Sequence, residues 1–140
     1  PLVTGVQTCA LPISIVFSGT ASKNANVGFT LPGTINVFGN GGYTFSATQS
    51  TSDALDLLLA TMSFSTSGFS ATKSGTSIIF SAPNNTGAYY NGYSVTVQKQ
   101  SGLGSFTFSY GASFSDGSTT FALTLGSTDF GTIENFNFTI

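Results

Sequence analysis

The chain has 140 residues, three Lys or Arg against five Asp or Glu, no His, no Trp and a single Cys. So few basic residues exclude the cationic patch that a nucleic-acid binder needs for phosphates. The lack of His removes Cys/His zinc sites and Ser-His-Asp or Cys-His catalytic arrangements.

The first segment differs from everything after it. Residues 3–13, VTGVQTCALPI, hold the one cysteine, Cys9. A secretory signal would need a basic start and an unbroken apolar run. Here no Lys or Arg precedes Lys23, and Gln7, Thr8 and Pro12 interrupt the run. The stretch reads instead as the in-frame translation of a short-read sequencing adapter. An artefactual leader over 1–13 is therefore expected, contributing nothing to the core. On this reading Cys9 carries no information about redox compartment, and the natural chain is expected to begin upstream of Ser14. The apolar strand residue at the other end, Ile140, raises the same expectation of truncation there.

From Ser14 onward the apolar residues alternate with polar ones, the mark of half-buried strands. Strands are expected in SIVFSGTA (14–21), NVGFTL (26–31), TINVFG (34–39) and GYTFSA (42–47), with Tyr43, Phe45 and Ala47 on one face. Pro32–Gly33 and Gly39–Gly42 supply the turns between them. STSDALDLLLATM (50–62) breaks this rhythm. Leu55, Leu58, Leu59 and Met62 fall at i, i+3, i+4, i+7, the stripe of an amphipathic helix over about 51–62. Ser50 and Asp53 form an S-x-x-D start, so Ser50 is the expected N-cap. Capping accounts for Asp53, and the solvent face accounts for Asp56, better than a catalytic or metal-binding carboxylate pair does.

Strands then resume. GFSATKSGTSIIFSAP (68–83) predicts a hairpin turning at Lys73-Ser74-Gly75 and ended by Pro83. YSVTVQ (93–98), SFTFSYGASF (105–114), TTFALTL (119–125) and ENFNFTI (134–140) follow, with a turn at Asp116–Gly117. The order is β-β-β-β-α-β-β-β and then three or more strands. It predicts an α+β fold, a mainly antiparallel sheet or sandwich with one helix packed on it. Three regions are expected: the leader 1–13, a β-rich unit 14–98 with the helix, and further strands over 99–140 belonging to the same or a partial second domain. No apolar run approaches a membrane helix, so no membrane partner is expected.

The stretch from Ile15 to Val97 resembles a module of tailed-phage virion structural proteins, seen in contractile-tail sheath proteins and other tail components. The resemblance lies in IVFSGTA (15–21), GTINVFG (33–39), GYTFSAT (42–48), TSDALDLLLATM (51–62), GFSATKSGTSIIFSA (68–82) and GAYYNGYSVTV (87–97), in that order and spacing. It implies a virion structural protein, not an enzyme, that works without a cofactor. Its partners would be other virion subunits or further copies of itself. The abundant uncharged strand edges suit such assembly.

A second expectation is an extracellular or cell-surface β-domain that binds carbohydrate or another surface ligand. The candidate loop is GAYYNGY (87–93). Its Tyr89, Tyr90, Asn91 and Tyr93 could stack on and hydrogen-bond a sugar or form an interface. The plainer reading makes Asn91–Gly92 a turn and packs the tyrosines over a sheet edge. Asn84-Asn85-Thr86 and Asn137-Phe138-Thr139 match the glycosylation acceptor pattern. Phe106, Phe108, Phe114, Phe121, Phe130, Phe136 and Phe138 are read as core, or as an interface if several lie exposed together.

Overall fold

The computed structural model describes residues 2–109, 112–124 and 135–139, with side chains described for 9–98, 100–109 and 112–118. The element order is β1 (Leu2–Thr8), β2 (Ile13–Ser18), β3 (Asn26–Leu31), β4 (Ile35–Asn36), β5 (Tyr43–Thr44), α1 (Thr51–Thr61), β6 (Ser70–Ser74), β7 (Ser77–Ser81), β8 (Thr96–Ser101), β9 (Thr107–Phe108), β10 (Ser118–Thr124) and β11 (Asn135–Thr139). Every strand pairing among the described residues is antiparallel. The fold is α+β, with one helix packed against mostly antiparallel sheets, as the sequence predicts.

Alternation places the core. In β2, Ile13, Ile15 and Phe17 are buried while Ser14, Val16 and Ser18 face out. β2 lies between β7 and β9 in a sheet ordered β6-β7-β2-β9. Its inward residues meet inward residues of β7, Ile13 opposite Phe80 and Ile15 opposite Ile78. A second sheet is centred on β3, which pairs with β4, β5 and β8. The two sheets meet through phenylalanine rings. Phe29 of β3 makes edge contacts with Phe17 of β2 at 6.2 Å, Phe80 of β7 at 6.3 Å and Phe108 of β9 at 5.4 Å between centroids. Phe106 stacks on Phe17 at 5.4 Å. Offset and edge-to-face pairs of this kind add stability beyond the area they bury.

Helix α1 starts where the sequence places it. The Ser50 hydroxyl accepts from the Asp53 N–H at 3.2 Å, satisfying a donor that the first turn leaves free. Leu55 and Leu58 are buried together with Ala54, and Leu59 and Met62 pack half-buried against the core. Asp56 faces outward and forms an ion pair with Lys73 of β6 at 2.9 Å. The Lys73 ammonium also donates to the Ser52 hydroxyl at 2.8 Å. An eleven-residue helix is marginal alone in water, so this docking is what holds it.

Several expectations need correction. Residues 3–13 do contribute to the core, because Ala10 is 5% exposed and Ile13 only 2%. Ile13 opens β2 in phase with Ile15 and Phe17, so it inherits their inward direction. Residues 2–8 form a strand ahead of those expected, paired with β10 from Leu2–Thr124 to Thr8–Ser118. The strands expected over 34–39 and 42–47 shrink to two residues each. Asn36 already accepts from the Gly39 N–H at 2.9 Å, which starts the turn early. Ala47, placed on the inner face with Phe45, is exposed instead. The strand expected over 93–98 begins at Thr96 and runs to Ser101.

Residues beyond 98 join the same hydrophobic cluster through Leu103, Phe106 and Phe114. Phe108 is half-buried against that cluster. Phe130 and the side chains of Phe121, Phe136 and Phe138 lie outside the described residues. A separate three-stranded sheet has the order β1-β10-β11. No helix is long and apolar enough to cross a membrane among the described residues.

Candidate functional site

The loop after β7 is built by short backbone turns. Pro83, with no N–H for a ladder, follows the end of the strand, and its carbonyl accepts from the Thr86 hydroxyl at 2.6 Å. Thr86 accepts from the Tyr89 N–H at 3.0 Å, Ala88 from Asn91 at 3.1 Å and Tyr90 from Tyr93 at 3.1 Å. The last turn places Gly92 third of four residues, with φ at 85°. Turns with a positive φ at that position select glycine.

A distant segment fixes this loop in place. The Gly92 N–H donates to the Phe114 carbonyl at 2.9 Å, and the Phe114 N–H donates to the Tyr93 carbonyl at 2.8 Å. The Asn91 side chain completes the clamp. Its amide NH2 donates to the Gly117 carbonyl at 2.9 Å, and its Oδ1 accepts from the Gly117 N–H at 3.0 Å. The Asn91 amide thus pairs with Gly117 as a neighbouring strand would. Gly117 itself lies so close to the loop that a Cβ there would stand 2.2 Å from the Gly87 carbonyl oxygen.

The structure separates the three tyrosines. Tyr90 turns inward, with its ring 4.9 Å from Phe69 in an edge contact and 6.5 Å from Phe114. Tyr89 and Tyr93 turn outward, 71% and 52% exposed. Their rings are nearly parallel, at 14°, with centroids 6.5 Å apart. Tyr90 stands almost perpendicular to both, at 79° to Tyr89 and 70° to Tyr93. The plainer sequence reading therefore holds for Tyr90 and fails for Tyr89 and Tyr93.

The sequence points to Tyr89, Tyr90, Asn91 and Tyr93 and rightly reads Phe114 as core, but it does not place Phe69, Phe114 or Gly117 beneath this loop. Asp116–Gly117 reads only as a turn, and nothing local marks Gly117 as the partner of Asn91. Asn84 and Asn85, on the same loop, are exposed.

Other chemistry is sparse among the described residues. No group of three or more His, Cys, Asp or Glu side chains converges to hold a metal, and no pocket opens. Asp53 and Asp56 sit on α1, away from this loop in sequence and bound into capping and the Lys73 ion pair. The Cys9 thiol donates to the Pro83 carbonyl at 3.3 Å. Its pKa lies below the usual thiol value, chiefly through a hydrogen bond from the Thr86 backbone, against an opposing effect of burial. No protein-family model, curated protein or solved structure matches the chain, so the loop's chemistry rests on its own residues.

Proposed function

We propose that the protein is a non-catalytic structural subunit of a tailed-phage virion, acting by assembly with other virion subunits or with copies of itself. The observation that carries this reading is β11, an uncharged outer strand of the sheet β1-β10-β11. β10 takes seven residues of β1 along one side and five of β11 along the other. None of the three strands, LVTGVQT, STTFALT and NFNFT, contains a charged residue. Proteins that must stay apart commonly place Lys or Pro on such edges. Here β11, which lies well beyond the leader 1–13, carries neither, and backbone N–H and C=O groups along such an edge can take a further strand from a neighbouring subunit. The ordered resemblance across Ile15–Val97 supports the virion setting.

Sedimentation velocity of the intact chain across a concentration series tests the proposal. Defined oligomers are expected, and Asn137→Lys on β11 should shift them toward monomer. Mass spectrometry of purified particles should also find the protein. A strict monomer at every concentration, absent from particles, would refute the proposal.

A further inference from the structure

We infer that Tyr89 and Tyr93 form a carbohydrate-binding surface, a function separate from assembly and carried by a different part of the molecule. The argument starts from exposure. Large aromatic rings gain by burial, yet these two are 71% and 52% exposed while Tyr90 between them is packed inward. Folding does not need their outward position, because the turns and the Asn91 clamp hold the loop without them.

The geometry suits a sugar. Two nearly parallel rings 6.5 Å apart present similarly oriented apolar faces. A pyranose ring offers a flat array of C–H groups to such a face, and its rim of hydroxyls needs polar partners. Tyrosine supplies both an apolar face and a polar tip. The same loop adds the exposed amides of Asn84 and Asn85 and no charged side chain. Neutral amides and hydroxyls match a neutral glycan better than a charged ligand.

A protein partner fits less well. A stable protein interface buries about 800 Å² on each side, with an apolar centre. Two tyrosine rings, on a loop with no exposed aliphatic side chain, offer a much smaller patch. The loop is also held in place by contacts before any ligand arrives. Tyr90 stands against Phe69 and Phe114, and backbone bonds tie Gly92 and Tyr93 to Phe114. Little ordering cost remains for binding, which favours a weak ligand such as an oligosaccharide.

The chain lacks Trp, and three of its five tyrosines lie in this loop, so tyrosine emission reports on the site directly. The intact protein would be titrated with the neutral oligosaccharides cellohexaose, maltohexaose and chitohexaose. Saturable binding to at least one probe is expected, with a change in tyrosine emission. Tyr89→Ala and Tyr93→Ala should each weaken it about tenfold, the worth of one aromatic contact. Tyr89→Phe keeps the ring face and should stay within a few-fold of the parent. Circular dichroism of each variant should match the parent, because neither ring supports the core. Absence of binding to all three probes overturns the inference. So does loss of self-association, rather than of glycan binding, in the two alanine variants, since that outcome assigns the rings to a protein interface. Failure of the assembly proposal leaves this result unaffected, because the glycan titration can be read on a monomer.

Discussion

Helix α1 and the loop over 84–93 are similar in length, yet they place their large apolar side chains differently. α1 sends Leu55 and Leu58 inward and leaves Asp56 outside. The loop sends one large ring inward and leaves two outside. In the helix, direction follows from spacing, because residues three and four apart share a face. In the loop, direction follows from contacts with Phe69 and the 114–117 segment. The first arrangement is what folding alone requires. The second leaves exposed aromatic surface that folding does not explain.

Substitutions should separate buried support from exposed surface in both regions. The largest effects are expected beneath each. Leu58→Ala should cost about 2–5 kcal/mol and Phe114→Ala about 3–5 kcal/mol in urea unfolding. A loss under about 1 kcal/mol at Phe114 would mean that the loop rests on nothing, ending the contrast between the regions.

An intermediate effect is expected at the clamp. Asn91→Ala strands the N–H and C=O of buried Gly117 and should cost about 1–3 kcal/mol. It should also loosen the tyrosines, seen as faster amide exchange at Gly92 and Phe114. Unchanged exchange there would show that the Asn91 amide is dispensable.

The smallest effects belong to the outward residues. Asp56→Ala should cost less than about 1 kcal/mol, because its pairing with Lys73 is partly solvent-exposed. Tyr89→Ala should stay within about 0.5 kcal/mol of the parent. A thermal melt showing that Tyr89 matters as much as Leu58 would make the ring part of the core after all.

What the sequence reveals divides along the same line. Periodic segments are legible. The bounds of β3 at Asn26–Leu31 match the expected strand, and the Ser50 cap and the leucine stripe of α1 appear where the pattern puts them. The hairpin of β6 and β7 is legible too, though its turn slips. Ser74 still pairs with Ser77, so the two connecting residues are Gly75 and Thr76, one step beyond the expected Lys73-Ser74-Gly75.

Short elements are less legible. β4 and β5 keep only two residues each because turn hydrogen bonds compete with the ladder. Ala10 and Ile13 defeat an argument from the origin of a sequence. A strand takes in whatever apolar residue falls in phase, and Ile13 is two residues before Ile15. The candidate loop is half legible. Its composition names the tyrosines, but their directions depend on Phe114 and Gly117, more than twenty positions away.

The phenylalanine contacts between the two sheets bear on how the molecule opens. Phe29 touches Phe17, Phe80 and Phe108, and so bridges β3 to β2, β7 and β9 at once. Neither sheet can peel away without baring rings belonging to the other. Local fluctuations should therefore be confined to turns and edges, and amides in the centres of β2, β3 and β7 should exchange only through a shared opening, with nearly equal protection. Two sheets that are separate in their hydrogen bonding then behave as a single cooperative unit.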